Sequence, residues 1–141
     1  MRRVAMSVSF GLFLAILLNI SAQQSASTTR RCRKNDQHNA VFGTKQPDDN
    51  TQQLLRSENI KVGPRQKKST TYPFVYPEQG DIRGNITYIE ASDRTADGKG
   101  GCVFLIEGGV GYDNVTLHFR TQKSLGMEFV VSIYGKPKQP S

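Results

Sequence analysis

The sequence has few of the residue groups on which enzyme and metal sites depend. Its 141 residues include two histidines and two cysteines, with no C-x-x-C or H-E-x-x-H spacing, so it predicts no metal site and no cofactor. Ser124 lacks the flanking glycines of a nucleophile elbow, and the glycine clusters fit neither a dinucleotide fingerprint nor a P-loop. Asp93 and Asp97 are better interpreted as turn formers than as a general acid and base. We therefore expect a protein that is not an enzyme.

The two histidines stand alone in the sequence. His38 lies in a polar segment, and His118 falls on the polar face of a predicted strand, where a solvated surface residue is expected. A further hypothesis is a small hydrolase or a lectin-like carbohydrate binder, which would require a concave polar and aromatic site formed by the fold.

Long apolar runs are absent after residue 22. Before that point, Arg2 and Arg3 precede an uncharged apolar run over residues 4–20 and a small-residue exit at Ala22. This pattern predicts a secretory signal peptide over residues 1–22, cleaved after Ala22. The alternative, an uncleaved membrane anchor, is disfavoured because no stop-transfer pattern follows. We expect a secreted, extracellular protein that does not contact a membrane after cleavage.

Large apolar residues are scarce between residues 23 and 53, where Val41 and Phe42 form the only such pair. This composition predicts an extended or disordered arm. Loss of the signal peptide lowers the net charge from +7 to +5, since Arg2 and Arg3 leave with it, and residues 23–68 carry ten basic and four acidic side chains. The basic cluster Arg30-Arg31-Cys32-Arg33-Lys34 fits a nuclear signal, a dibasic processing site or an anionic-ligand patch. The alternative is that the excess positive charge of this segment is simply solvated.

The mature chain contains one pair of cysteines, Cys32 and Cys102. In an oxidising compartment, the simplest expectation is a disulfide between them. The alternative is that they stay unpaired, with Cys102 packed as a small apolar residue beside Val103 and Phe104, and cleavage in the basic cluster would remove Cys32 altogether.

From Leu54 the sequence changes to short apolar runs separated by turn-forming residues. Period-two alternation is clearest in the last two runs, where Phe129, Val131 and Ile133 share an apolar face and Ser132 lies on the polar one. These features predict an all-β fold, a small antiparallel sandwich or a twisted sheet, over residues 54–135, followed by a tail over 136–141. We expect strands at 54–62, 70–76, 82–91, 102–107, 114–120 and 127–134, with the last two forming a hairpin across residues 121–126.

Two sequons remain after signal cleavage. Asn85-Ile-Thr and Asn114-Val-Thr both satisfy N-x-[ST] without an intervening proline, which predicts glycans on Asn85 and Asn114. The alternative is that either site stays unmodified. Each asparagine follows a turn-like segment, from which a bulky glycan would project into water.

Five blocks between residues 85 and 135 carry a resemblance to a known family. They are Asn85-Ile-Thr-Tyr-Ile-Glu, Asp97-Gly-Lys-Gly-Gly, Glu107-Gly-Gly-Val-Gly-Tyr, Val115-Thr-Leu-His-Phe-Arg and Phe129-Val-Val-Ser-Ile-Tyr-Gly. In this order they resemble the multiprotein bridging factor 2 family of insects, and the weaker stretch from Leu54 to Val75 extends the resemblance upstream. The resemblance supplies no catalytic or ligand residue.

Two functions from different classes follow. The first is a secreted, glycosylated, non-enzymatic binding protein of an extracellular fluid, with an unidentified protein partner. The resemblance implies a fluid such as saliva or haemolymph. The second is implied by the resemblance: a transcriptional coactivator that bridges a DNA-bound nuclear receptor and a general initiation factor by protein contacts. Neither predicts direct contact with nucleic acid, because the excess positive charge lies in the arm and lacks interleaved aromatic residues.

Overall fold

The structure, a computed structural model, describes residues 30–139. The predicted signal peptide and the beginning of the predicted arm lie outside these residues. The described chain forms seven strands: β1 (Ala40–Gly43), β2 (Gln53–Val62), β3 (Thr71–Tyr76), β4 (Gly84–Asp93), β5 (Gly101–Gly108), β6 (Val115–Thr121) and β7 (Met127–Pro137). Within residues 30–139, no helix is long and apolar enough to cross a membrane.

The strands form two antiparallel sheets packed face to face. One sheet has the order β1-β4-β7-β2 and the other the order β3-β6-β5. The all-β expectation is therefore confirmed, and the molecule is a sandwich with two open sides. One side is bounded by the edge strands β1 and β5, and the other by β2 and β3.

The core fills the space between the sheets. Alternate residues of β6 and β7 are buried, and Phe119, Phe129 and Val131 are fully shielded from solvent. The rings of Phe119 and Phe129 meet edge to face, with centroids 5.1 Å apart. Ser132 is partly exposed, as the alternation predicts, so the register of the last strand is confirmed.

The predicted hairpin between the last two strands is wrong. β6 pairs with β3 and β5, whereas β7 pairs with β2 and β4, so the segment after Thr121 crosses from one sheet to the other. The alternating pattern is the same in both arrangements, because a strand buries one face whether its sequence neighbour lies beside it or opposite it.

The expectation of an extended or disordered arm is also corrected for residues 30–53. Ala40–Gly43 forms β1, which pairs with Ala91–Tyr88 of β4, and Ala40 and Phe42 pack against the core. The tail is shorter than expected, because β7 continues to Pro137. The third predicted strand is shifted by two residues, since β4 begins at Gly84 and Ile82 is exposed.

Candidate functional site

An open cleft of about 690 Å³ lies on the side of the sandwich bounded by β1 and β5. Its walls are residues of these two strands and of the segment Arg30–Asn39, here called the strap. The strap connects the two sheets: Cys32 joins β5, while Asn39 accepts a hydrogen bond from the backbone N–H of Asp93 at the end of β4 (2.8 Å). The strap and β1 walls of the cleft therefore come from a segment that composition alone assigned to an extended or disordered arm.

The disulfide holds the strap against the outer face of the second sheet. Cys32 and Cys102 are bonded, with Cα atoms 5.5 Å apart and 70 residues of separation. Cys102 pairs with Arg120, the neighbour of the core residue Phe119, and so points away from the core. Both cysteines are nevertheless buried, because the strap covers Cys102 from outside.

His38 forms a second attachment of the strap. Its ring is buried, with Nδ1 2.6 Å from the carbonyl oxygen of Gly101 and Nε2 3.0 Å from that of Lys34. A carbonyl oxygen only accepts, so each contact is a hydrogen bond when that ring nitrogen carries a proton. Gly101 has no room for a side chain, since a Cβ there would lie 2.8 Å from the Arg120 carbonyl oxygen. His38 is thus a structural contact that sequence reasoning left in the polar arm.

Three arginines of the strap line the cleft. The guanidinium carbon of Arg30 lies 5.3 Å from the centre of the Phe104 ring, and Arg31 and Arg33 are exposed. Among residues 30–139, none of the three guanidinium groups forms an ion pair. Asp36 is the one acidic residue in the lining, and its carboxylate accepts the backbone N–H of Arg33 (2.8 Å). The cleft therefore presents an excess of positive charge beside an aromatic and aliphatic wall.

Among residues 30–139, Cys32, His38 and Cys102 form the group that most resembles a metal site. Their potential ligand atoms lie within 4.8 Å of one another. Both sulfur atoms are engaged in the disulfide, so neither is available as the thiolate that a metal ion requires.

The opposite side of the sandwich is closed by Arg56 of β2. Its Nη1 lies 3.0 Å from Asp81 and 3.1 Å from Glu78, its Nη2 contacts Glu58, and its guanidinium carbon lies 4.8 Å from the centre of the Phe74 ring. Burial acts to lower the pKa of Arg56, but the hydrogen bonds to Glu58, Asp81 and Glu78 outweigh it and raise that pKa above its usual value. The guanidinium group of Arg56 is therefore engaged by residues of the protein itself.

Tyr72 extends the same cluster. Its hydroxyl donates a 2.7 Å hydrogen bond to Glu58. This bond, together with burial and the negative charge of Glu58, raises the pKa of the Tyr72 phenol. Sequence reasoning missed the cluster, although Arg56 and Glu58 share a strand face by their spacing of two.

The residues considered earlier as chemical candidates do not lie in this cleft. Asp93 accepts backbone N–H groups of Thr95 and Gly100, and Asp97 accepts that of Lys99, so both carboxylates stabilise their loop. Ser124 accepts the backbone N–H of Lys67 at 2.8 Å. His118 is partly exposed on β6, on the face away from the core.

A second cleft of about 750 Å³ lies near the ends of β2, β4 and β7. Its charged residues are of both signs, and Lys61 and Glu128 are paired at 3.9 Å. The second cleft is lined by three basic and two acidic residues, and the β1–β5 cleft by three basic and one acidic. The β1–β5 cleft therefore has the larger excess of positive charge and is the stronger candidate for an anionic ligand.

The two sequon asparagines lie away from the cleft. Asn85 and Asn114 are both exposed. Asn85 is the second residue of β4, whose later residues pair with β1, and Asn114 immediately precedes β6, whose last residues pair with the start of β5. Neither asparagine lines the cleft.

Comparison with known proteins gives two matches. The family described as Transcription activator MBF2 matches residues 42–135. A probable salivary secreted peptide of Bombus ignitus is 29% identical over 106 residues, which cover 72% of each chain. No solved structure matches the chain. The family resemblance drawn from the five sequence blocks is confirmed.

Proposed function

We propose that this chain, which belongs to the transcription activator MBF2 family by its match over residues 42–135, is a secreted, N-glycosylated binding protein of extracellular fluid. Similarity to a probable salivary secreted peptide supports export. In this proposal, the protein acts by binding a protein partner and catalyses no reaction.

The observation that carries this proposal is the disulfide between Cys32 and Cys102. Disulfides of this structural kind persist in oxidising compartments and are rare in the cytosol and nucleus. This bond attaches one wall of the cleft to the sandwich, so we expect the cleft to be most stable in an oxidising environment. Two exposed sequons, Asn85 and Asn114, agree with the same compartment.

Expression of the full-length chain in insect cells tests the proposal. We expect the protein in the medium, with a mature terminus after Ala22 and a mass that falls on enzymatic removal of N-glycans. Asn85→Gln and Asn114→Gln should each remove one glycan, whereas Asn59→Gln, at an exposed asparagine outside a sequon, should remove none. An unprocessed protein retained in the cells would contradict the proposal.

The family description supports a second candidate, a coactivator that bridges transcription factors by protein contacts. This function requires the protein in the nucleus, where thiols are kept reduced. A nuclear pool of full-length protein with free thiols at Cys32 and Cys102 would favour it over the secreted function.

A further inference from the structure

We propose that the cleft binds an extended acidic peptide segment of a partner protein, which adds to the free edge of β5 as a further strand. The inference deepens the proposed binding function and rests on it. It assigns the partner's chemistry: acidic side chains alternating with apolar ones.

The backbone of β5 offers an unused edge. β5 pairs with β6 on one side, and in the described part of the chain no backbone group of Val103–Glu107 is hydrogen-bonded on the other. Unpaired edges of this kind accept an added strand unless they are covered or charged. The register shift between Leu105 and Glu107 ends the regular edge, which places the pairing at Val103–Leu105.

The side chains along this edge are apolar and alternate in direction. Val103 and Leu105 pair with the core residues Phe119 and Leu117, so they face the interior side of the cleft opposite β1. Phe104 faces the outer side. Leu105 is 42% exposed, so an apolar side chain of an added strand would remove apolar surface from water there.

Positive charge lies on the outer side of the same edge. Arg30 covers the Phe104 ring, and Arg31 and Arg33 line the cleft without an ion-pair partner among residues 30–139. Every second side chain of an added strand would point to this side. Carboxylates at these positions would complement the guanidinium groups.

The apolar half of the cleft favours a peptide over a sulfated glycan or a nucleic acid. A uniform polyanion needs a continuous basic surface, but this wall includes Val41, Phe42 and Val103 together with the carboxylate of Asp36. A peptide strand uses the backbone edge, the apolar wall and the arginines together.

The test uses the mature, oxidised full chain and a fluorescein-labelled octapeptide of alternating glutamate and valine. We expect saturable binding by fluorescence anisotropy, weakened as ionic strength rises from about 0.05 to about 0.5 M. The block peptide with four glutamates followed by four valines has the same composition and should bind at least about tenfold more weakly. Equal binding of the two peptides, or tighter binding of a heparin octasaccharide, would overturn the inference.

A backbone test separates strand addition from charge attraction. Two versions of the alternating peptide carry N-methyl groups on one or the other set of alternate amides, with unchanged charge. An added strand directs one set of amides towards β5, so one version should lose binding and the other should keep it. Equal affinities of the two versions would contradict strand addition.

The charge test compares two double variants. One reverses the charge at two arginines of the cleft, and the other reverses it at two lysines outside the cleft. Arg31→Glu/Arg33→Glu should weaken binding at least about tenfold. Lys67→Glu/Lys68→Glu changes the net charge equally at exposed positions outside the cleft and should keep the affinity within about twofold. Peptide mapping of the intact disulfide in both variants controls for folding. An equal loss of peptide affinity in the two double variants would overturn the inference.

These outcomes are distinguishable from failure of the proposed function. A protein that is exported and glycosylated but binds neither peptide preferentially contradicts the peptide site alone. A protein that is retained unprocessed in the cell contradicts the secreted function, while binding by the oxidised, purified chain still decides the peptide site.

Discussion

The two sides of the sandwich, β1–β5 and β2–β3, are held by different contacts. Between β2 and β3, Arg56 contacts three carboxylates and an aromatic ring, all within the protein. Between β1 and β5, a disulfide and His38 fix the strap, and Arg31 and Arg33 remain without ion-pair partners among the described residues. Within residues 30–139, arginine is thus paired with carboxylates on one side and exposed without an ion pair on the other.

This difference distinguishes a structural cluster from a binding surface. Arg56 is 15% exposed, and its charge is already compensated by carboxylates, so an incoming anion would gain little from it. On the other side, the covalent bond stabilises the edge, so the arginines are not needed to hold the sheets together. They are available for a partner.

The largest effect is expected from a core substitution that unfolds both sides of the sandwich. Val131 of β7 pairs with Glu58 of β2 and Ala91 of β4, and its side chain is fully buried between the sheets. Val131→Asp should unfold the domain, because an unpaired carboxylate in an apolar interior costs several kcal/mol. Ser132→Asp, on the opposite face of β7, should leave the stability of the domain nearly unchanged. Secretion yield is the readout, and equal yields from the two variants would contradict the register of β7.

The next largest effect concerns the β1–β5 side alone. Cys32→Ser/Cys102→Ser should lower the free energy of unfolding by up to about 4 kcal/mol on the chain-entropy model for a 70-residue loop. Hydrogen exchange should become faster in the strap and β1 while β2 and β3 stay protected. Reduction of the wild-type protein serves as the control and should reproduce the variant. Uniformly faster exchange over all seven strands would show that the two sides are not independent.

A smaller effect is expected when the β2–β3 side is altered. Arg56→Met should lower the free energy of unfolding by about 2 kcal/mol, because the carboxylates of Glu58 and Asp81 lose their partner in a partly buried position. Lys61→Met, which breaks an exposed ion pair with Glu128, should cost less than about 1 kcal/mol. Chemical denaturation measures the free energy of unfolding of both variants. Arg56→Met should leave peptide affinity unchanged, and a loss of affinity would contradict the division between the two sides.

The smallest effect is a pH dependence of the β2–β3 side. The hydrogen bond from Tyr72 to Glu58 raises the phenol pKa, so its contribution to stability is complete below the unfolded value of about 10 and is lost as pH rises through the higher folded value. Tyr72→Phe should cost about 1 kcal/mol at neutral pH. The stability difference between wild type and variant should shrink above about pH 10. A difference that grows with pH would contradict the assignment.

Alternation in the sequence was sufficient to predict the core but not the pairing of its strands. Phe129, Val131 and Ile133 are buried as their spacing predicts. The hairpin between the last two strands was wrong because side-by-side and facing strands bury the same alternate residues. Turn composition could not separate these arrangements, since the connection from Thr121 to Met127 is long enough for either.

The candidate site was less predictable, because it depends on contacts between distant residues. Val41 and Phe42 were the only apolar signal of β1, and the burial of His38 depends on a carbonyl 63 residues away. The basic cluster was visible in the sequence, and an anionic-ligand patch was one of its three interpretations. Its position beside the free edge of β5 follows only from the disulfide and the strand order.

The most direct test of the division between the two sides is a map of backbone amide chemical shifts. The measurement uses the ¹⁵N-labelled, oxidised mature chain titrated with the alternating glutamate and valine peptide. The largest changes should occur at Val103–Leu105 and in the strap around Arg31, with little change at Arg56. Largest changes around Arg56 and β3, or changes spread evenly over all exposed basic residues, would contradict a binding edge on the β1–β5 side.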